Sequence, residues 1–433
     1  MLAPLLFNLY TADLPSVLGE HALAPPKIGS CPIQLLQYAD DIVILDRTKV
    51  CLQRALEALR KYNLRNELTI NRDKTKVLVF GKRKNKAALK WQLGNESIGT
   101  CKKYKYLGVW FSEDGRAGVQ IASIKKKAVA VMCGLLRLHG NLNSPSASNI
   151  LQVTKAVLLP SLQYGHLAYP GRLDSVLDTI NCRMYKKLFA LPAHVNNAKL
   201  SLELGLTKQT LVGMGDLLKF YLACTRAPGD SLKAKLLAIF GSMGNSWSNQ
   251  LMDNPWKKQL GVAVSTLSIV EVSLGNKIIP IAAWKKAINN QVACLSRAAN
   301  LARLPKDLLL APLRDSYAAN NLPEYLGDSM NKVARNGIIY MRVMGLPIRD
   351  FFPAWPVHAR HSKCRLCGYR NESWYHLLCC CPALGDPRRH LVRPLMLANN
   401  IRTCKGASDW CFSEVSSMQL CRMGKYVAII RQK

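Results

Sequence analysis

The stretch PIQLLQYADDIVIL, residues 32–45, places two adjacent aspartates between two short apolar runs. Apolar runs of this length on either side of a short polar step predict two paired strands joined by a tight turn. Adjacent carboxylates repel each other, and neither is stable inside an apolar sheet. We therefore expect Asp40 and Asp41 to project from the tip of a hairpin.

Paired carboxylates at such a tip suit a hard divalent cation, because Mg2+ prefers oxygen ligands. Phosphoryl transfer often uses two such ions about 3.5–4 Å apart. Two ions need more than one carboxylate, so this interpretation requires a third carboxylate that faces the pair from a neighbouring strand. Acidic turns are also common without a ligand, and the tetrapeptide YADD does not separate the two interpretations.

The surrounding residues predict an α/β region over residues 1–115. LLFNLYTADL has the apolar spacing of a helix, whereas KTKVLVF and YKYLGVWF are rich in strand-forming residues and predict further strands. The segment KVCLQRALEALRKYNL predicts a helix with four large apolar residues on one face: Leu52, Leu56, Leu59 and Tyr62.

The rest of the chain has a mainly helical pattern. Residues 116–300 combine apolar helical faces with Lys and Arg on the opposite face, and NLNSPSASN at 141–149 predicts a loop between two helices. Residues 301–433 are again largely helical and include a cluster of cysteines. We therefore expect three regions, over residues 1–115, 116–300 and 301–433.

The net charge limits the class of partner. Lys and Arg number 60 against 27 Asp and Glu, which gives a formal net charge of +33. Such an excess favours a polyanionic partner, either nucleic acid or an anionic membrane surface. No run of 18 apolar residues is free of charge, so we expect no transmembrane helix. Of the two kinds of partner we expect nucleic acid and no membrane.

The cysteine content indicates a reducing compartment. The chain has 15 cysteines scattered over 433 residues, and its N-terminus lacks the basic start and the cleavage site of a signal peptide. We expect a protein of the nucleus or cytoplasm that is not secreted.

The segment CRLCGYRNESWYHLLCCCP has the spacing of a structural Zn2+ site. The pattern Cys364-x2-Cys367-x8-His376-x4-Cys381 supplies three thiolates and one imidazole for a closed tetrahedral centre. Cys379 and Cys380 immediately precede the last cysteine, so spacing leaves the fourth ligand open. Reduced thiols buried in a helix are the alternative.

Basic residues near this cluster and elsewhere suggest contacts with nucleic acid. Arg365, Arg370, Arg388 and Arg389 are candidates for phosphate contacts. Aromatic residues also lie beside lysine pairs, where a ring could stack on a base while the lysines follow the phosphates. In a helix, however, the aromatic more often faces the core and the lysines face water. The four such stretches are KKYKY at 102–106, MYKK at 184–187, and WKK at 256–258 and 284–286.

Taken together and in order, LAPLLFNLYTADLP, YADDIVIL, NRDKTKVLVF and YKYLGVWF resemble the reverse transcriptases of LINE-type (non-LTR) retrotransposons. The resemblance implies part of a right-hand polymerase. A palm remnant would occupy 1–115 and a helical, basic thumb 116–300, followed by a helical C-terminal region with a CCHC zinc knuckle at 364–381. It also implies RNA-directed DNA synthesis from deoxynucleoside triphosphates, with a template RNA, a DNA primer or target, and Mg2+.

The resemblance implies roles for residues around the acidic turn. Asp40 would be the direct Mg2+ ligand, with Asp41 supporting it, and Tyr38 belongs to the same catalytic box. Pro4 and Phe7 match the box that lines the template and the incoming nucleotide.

It implies further roles downstream. Lys74, or Lys76 beside it, would help to protonate the leaving pyrophosphate, although both lysines could simply be exposed at the start of a strand. Tyr106 and Gly108 match the segment that grips the primer end. Gly108 would allow close backbone approach, or would simply accommodate a bend. The family also places its last knuckle cysteine before a proline, which favours Cys381 as the fourth Zn2+ ligand.

The sequence departs from the family pattern at its start. The chain begins inside the nucleotide-lining box, without the Gln-Gly before it, the fingers, or the palm strand that carries another Asp. We therefore expect the isolated chain to lack a complete two-metal site. A non-catalytic nucleic-acid binder, descended from a decayed element, is the alternative from a different functional class.

Overall fold

A computed structural model of the chain describes most of its residues. They are residues 3–19, 24–28, 31–81, 89–141, 145–229, 231–236, 262–263, 280–304, 323–328, 331–343, 363–364, 366–368, 376–399 and 417–432. The chain divides into two compact units. The first comprises Met1–Ser123, Gly165–Leu173 and Gly213–Ile288, and the second comprises Ile124–Tyr164, Asp174–Val212 and Asn289–Lys433.

Short strands and three helices form the N-terminal part of the first unit, in agreement with the α/β pattern. The helices are α1 (Ala3–Tyr10), α2 (Leu14–Gly19) and α3 (Lys49–Arg65). The strands are β1 (Lys27–Ile28), β2 (Cys31–Pro32), β3 (Leu35–Tyr38), β4 (Asp41–Ile44), β5 (Val77–Leu78), β6 (Trp91–Leu93), β7 (Glu96–Ile98), β8 (Thr100–Cys101), β9 (Lys103–Tyr106) and β10 (Val109–Ser112). Among the described residues the strands pair two by two: β1 with β2, β3 with β4, β5 with β8, β6 with β7, and β9 with β10.

Helix α3 organises the core of this region. The Thr48 side chain accepts a hydrogen bond from Cys51 N and caps the helix start, as a threonine at this position commonly does. Leu59 and Tyr62 pack with α2 and against the inner face of β3 and β4. Leu56 packs instead in a second cluster with Val77 and Trp91. The expected apolar face of α3 is therefore confirmed, but two adjoining cores share it.

The segment YKYLGVWF differs from its expected structure. It forms an antiparallel hairpin of β9 and β10 with Tyr106 opposite Val109, whereas the sequence predicted one continuous strand. The backbone turns at Leu107 and Gly108, where φ is +44° and +82°. Two consecutive positive φ values match a type I′ turn, and only the second residue is a glycine that adopts this conformation without steric cost.

Helices make up most of the remaining described chain. They are α4 (Gly118–Asn141), α5 (Ala147–Gln163), α6 (Asp174–Leu188), α7 (Asn197–Glu203), α8 (Gln209–Thr225), α9 (Leu232–Lys235), α10 (Ile281–Leu301), α11 (Lys332–Arg342), α12 (Gly385–Leu391), α13 (Arg393–Ala398) and α14 (Ser417–Gln432). The loop expected at 141–149 is shorter than predicted, because Ser146 caps α5 by accepting a hydrogen bond from Asn149 N. None of the described helices has the length and apolar character needed to cross a membrane.

Two helices of the second unit cross at glycines. A Cβ atom on Gly337 of α11 would collide with the backbone carbonyl of Gly424 on α14. A Cβ on Gly424 would in turn collide with the carbonyl of Ala334. The two backbones are therefore in direct contact, which only residues without a side chain permit.

Candidate active site and metal-binding cluster

The aspartate pair lies at the tip of a hairpin, with Asp40 in a two-residue turn and Asp41 at the start of β4. β3 and β4 are paired with Tyr38 opposite Asp41, which leaves only Ala39 and Asp40 to connect them. Ala39 has a φ of +51°, a left-handed conformation that a residue with a Cβ adopts at an energetic cost. Asp40 and Asp41 are both exposed. The hairpin tip therefore presents two carboxylates to solvent, as the sequence indicated, and the strained residue Ala39 directly precedes them.

The alternation of side chains along β3 and β4 decides which of them share a face of the hairpin with Asp41. Leu35, Ile42 and Ile44 point to the inner face and pack on the core beneath the hairpin. Tyr38 and Asp41 form a cross-strand pair, and side chains that pair across two strands share a face of the sheet. The Tyr38 side chain is 67% exposed, so its ring is free to contact a bound molecule.

A chain of hydrogen bonds ties α1 to the base of this turn. The Gln37 amide donates to the Thr11 hydroxyl at 2.6 Å, and the Thr11 hydroxyl donates to the Phe7 carbonyl at 2.9 Å. The half-buried Phe7 is thereby held close in structure to the strand that ends at Tyr38. Pro4 lies in the same helix, and its side chain is outside the described residues.

Two tyrosines of β9 lie within the electrostatic reach of Asp41. Burial raises the pKa of Tyr104 and that of Tyr106, and the negative charge of Asp41 raises both further. Tyr106 was expected near the site from the sequence. Tyr104 was not, although the alternation in KYKY places both tyrosines on one face of the strand and the lysines on the other.

Tyr104 also connects the site to the KTK segment. Its hydroxyl donates to the Lys74 carbonyl at 2.9 Å, and Lys74 N donates to the Asn71 side chain at 3.1 Å. The backbone of the exposed Lys74 is therefore anchored to Tyr104, the tyrosine whose pKa the charge of Asp41 raises. The structure thus brings three sequence-predicted segments together: the acidic turn, KTK and YKYLG.

The role expected for Gly108 needs a different physical basis. Its φ of +82° shows that the position requires the conformational freedom of glycine at the tip of the β9–β10 hairpin. Close approach of a second backbone is therefore not needed to explain this glycine.

Asp40 and Asp41 do not complete a metal site with the part of the chain that the structure describes. Within those residues, the one group of three or more His, Cys, Asp or Glu side chains that converges closely enough to hold a metal lies elsewhere. A third carboxylate for the aspartate pair would therefore have to come from outside the described residues.

That converging group is the cysteine–histidine cluster, formed by Cys364, Cys367, His376 and Cys381. Their ligand atoms all lie within 4.8 Å of one another, and Cys367 Sγ is 3.2 Å from His376 Nε2. Of the alternative fourth ligands, Cys380 is exposed, whereas Cys381 is fully buried in the cluster. Three sulfurs and one imidazole nitrogen fit the donor set of a closed zinc centre.

The surroundings of Cys381 change its acidity and bind its backbone carbonyl. Burial and the neighbouring thiols of Cys367 and Cys364 raise the pKa of Cys381 to about 11. A thiol with such a pKa is a poor thiolate at neutral pH unless a cation displaces its proton. The Cys381 carbonyl accepts a hydrogen bond from Arg388 Nη2.

Two of the candidates for phosphate contacts lie in the described residues. Arg388 donates to the Cys381 carbonyl. Arg389 is largely exposed. Arg365 and Arg370 lie outside the described residues.

Two aromatic residues beside lysine pairs are buried. Trp284 is 8% exposed while Lys285 and Lys286 are exposed, and Tyr185 is fully buried. At MYKK and at the second WKK the interpretation as core packing therefore fits better than that of a base-stacking platform. Tyr104 and Tyr106 of KKYKY are half-buried, and the WKK stretch at 256–258 lies outside the described residues.

Comparisons with known proteins agree with the first part of this geometry. The family described as "Reverse transcriptase (RNA-dependent DNA polymerase)" matches residues 1–111. A curated relative is the "Retrovirus-related Pol polyprotein from type-1 retrotransposable element R2" of Popillia japonica, which is 25% identical over 206 residues. That match covers 45% of this chain and 32% of the relative, so the chain matches about a third of the relative's length.

No solved structure matches the chain. The family match covers α1, the acidic turn, the KTK segment and the β9–β10 hairpin, which are the elements that converge around Asp41. Residues 1–111 are therefore similar to the reverse transcriptase family, and the relative that shares 206 residues with this chain is a polyprotein of a type-1 retrotransposable element.

Proposed function

We propose that this chain carries the part of a reverse transcriptase that presents the carboxylates of a two-metal site for RNA-directed DNA synthesis. The observation that carries the proposal is the exposed hairpin tip with Asp40 and Asp41, whose Asp41 charge reaches Tyr106 of the YKYLG hairpin, inside the segment that matches the family. The substrates would be deoxynucleoside triphosphates, a template RNA and a DNA primer.

The residues of the turn have distinct roles in this proposal. Asp40, at the tip, would bind Mg2+, and Asp41, which begins β4, would support it and orient Tyr106 and Tyr104 by its charge. Bound Mg2+ would supply charge stabilisation for the attacking and leaving oxygens. Phe7 and Pro4 of α1 would line the nucleotide and the template. Tyr38, exposed on the same face as Asp41, would contact the primer or the nucleotide.

The Lys74 side chain is the candidate proton donor to the leaving pyrophosphate. Its exposure and its backbone anchor to Tyr104 leave the amine free to reach a bound triphosphate. Tyr106 and Gly108 would hold the primer end at the tip of their hairpin.

The described residues offer the metals no third carboxylate at the turn, and we propose that the isolated chain does not synthesise DNA. Polymerisation of a labelled nucleotide on an RNA template by the purified chain would contradict this statement.

We propose further that the cysteine–histidine cluster binds one structural Zn2+, with Cys364, Cys367, His376 and Cys381 as ligands. A closed set of four protein ligands leaves no open position for chemistry. Its role would therefore be to fold the C-terminal region.

A second candidate function is nucleic-acid binding without catalysis. The net charge of +33 favours it, because a polyanion would relieve the repulsion among the cationic side chains. In this case RNA would bind and the binding would weaken steeply with salt, whatever residue occupies position 40.

One experiment separates the two functions. Binding of Mn2+ and of a fluorescent deoxynucleoside triphosphate would be measured for the wild type and for Asp40→Asn. Glu67→Gln removes an equal charge from an exposed side chain and is the matched control. Loss of metal-dependent nucleotide binding in Asp40→Asn alone, with RNA binding retained, supports the polymerase proposal. Equal nucleotide binding in all three proteins would contradict the polymerase proposal and would favour nucleic-acid binding without catalysis.

A further inference from the structure

Arg335 is a buried cation in the second unit. It lies in α11 and is 2% exposed. Its Nη1 donates to the Pro145 carbonyl, and its guanidinium lies 5.9 Å from the centre of the Phe189 ring. Its Nε is buried without a hydrogen-bond partner in the described part of the chain. Burial alone lowers its pKa, and no described acidic side chain is paired with it.

His139 is the titratable neighbour of this arginine. It lies in the last turn of α4, and both ring nitrogens are buried without a hydrogen-bond partner in the described residues. Burial lowers its pKa, and the positive charge of Arg335 lowers it further. The lowered pKa favours the neutral imidazole, which has one N–H to donate.

The local backbone adds positive potential at this place. Pro145, which accepts the Arg335 hydrogen bond, directly precedes the capped N-terminus of α5. Arg335 itself follows the N-terminus of α11, whose Asn331 cap accepts from Val333 N. Helix N-termini carry partial positive charge, so two of them reinforce the guanidinium.

An uncompensated cation in the interior is costly. Removing one partner from a buried ion pair is strongly destabilising because the remaining charge has lost its water without gaining a counter-ion. A carbonyl and an aromatic ring compensate the guanidinium only in part, and they leave its Nε and both imidazole nitrogens unused. An anion held by these groups would satisfy both the charge and the donors.

We propose that Arg335 and His139 form a buried binding site for a phosphate-type oxyanion. The Arg335 Nε–H and the neutral His139 N–H would donate to two of its oxygens, and charge-assisted hydrogen bonds of this kind are the strong ones. The proposal concerns the second unit and does not depend on the polymerase function. The source of the oxyanion is either inorganic phosphate or the terminal phosphate of a nucleic acid.

The first test is thermal unfolding of the full chain with increasing inorganic phosphate, the ionic strength being held constant with chloride. The wild type should gain several degrees in its unfolding midpoint, because a ligand that binds only the folded state stabilises it. Arg335→Met should lose this response. Arg137→Met, which removes an exposed cation from the same helix as His139, should keep it.

A second variant keeps the test decisive if Arg335→Met does not fold. His139→Leu leaves the guanidinium in place and should weaken the response to phosphate. Phosphate released on acid denaturation would also be measured, with about one equivalent expected per wild-type chain. A 5′-phosphorylated oligonucleotide that competes better than its 5′-hydroxyl form would identify nucleic acid as the source.

The results that would overturn the proposal are equally definite. A midpoint that responds to phosphate no more than to chloride would show that no such site exists. A response that persists unchanged in both Arg335→Met and His139→Leu would place phosphate binding elsewhere, on the general basic surface.

Discussion

At the scale of single residues, the second unit contains a buried ion pair. Glu203 is fully buried and accepts a hydrogen bond from Arg342 Nε at 2.6 Å. The Tyr325 hydroxyl also donates to Glu203, and the Arg342 guanidinium lies 5.6 Å from the centre of the Tyr325 ring. Each charge is tolerated in the interior because the other one compensates it.

Arg342→Met should therefore lower the free energy of unfolding by about 3–5 kcal/mol, because it leaves the Glu203 charge buried without its counter-ion. The measurement is a urea unfolding curve. Arg389→Met is the control, because the Arg389–Asp386 pair is exposed at 3.8 Å and should change stability by less than about 1 kcal/mol. Equal changes in the free energy of unfolding for the two substitutions would show that the buried pair contributes no more to stability than the exposed pair.

At the scale of the elements, the crossing of α11 and α14 depends on backbone contact. Gly337→Ala should destabilise the protein by about 1–3 kcal/mol, because the added methyl group meets the Gly424 carbonyl and the helices must separate. The unfolding midpoint in urea would measure the effect.

A glycine elsewhere provides the matched control for this substitution. Gly134 lies in α4, and a Cβ added there meets no atom within 4 Å. Gly134→Ala should stabilise the protein by about 0.5–1 kcal/mol, through the better helix propensity of alanine. Stabilisation by both substitutions would mean that the two backbones do not touch.

At the scale of the whole molecule, the cysteine–histidine cluster is connected to the helices that end the chain. The Tyr426 hydroxyl of α14 donates to the Leu377 carbonyl at 2.6 Å, within the turn that follows His376. Both side chains are fully buried. Order in the cluster and packing of α14 are thus coupled through one buried hydrogen bond.

If the cluster binds zinc as proposed, removal of the metal should weaken the packing of α14. A chelator should lower the unfolding midpoint and speed amide hydrogen exchange in residues 417–432, since metal binding contributes free energy to folding. Cys381→Ser should abolish the bound equivalent of zinc, while Cys380→Ser, at an exposed thiol, should retain it. Zinc retained by Cys381→Ser but lost from Cys380→Ser would reassign the fourth ligand.

Short-range patterns in the sequence determined several local features. The apolar runs around YADD and the incompatibility of two carboxylates with a sheet interior predict the β3–β4 hairpin with Asp40 and Asp41 at its tip. Helical periodicity determines the apolar face of α3. The spacing of Cys364, Cys367 and His376 similarly limits which ligands can converge, because ligands close in sequence need little chain to meet.

Only the tertiary structure decided which distant groups meet. That Tyr104 lies near Asp41 and anchors Lys74, 30 residues away, depends on strand pairing and packing that no local pattern encodes. Cys381 is buried whereas Cys380 is exposed, a difference between neighbouring residues that ligand spacing alone does not show. The Glu203–Arg342 pair joins residues 139 positions apart, because the packing of the whole core sets such contacts.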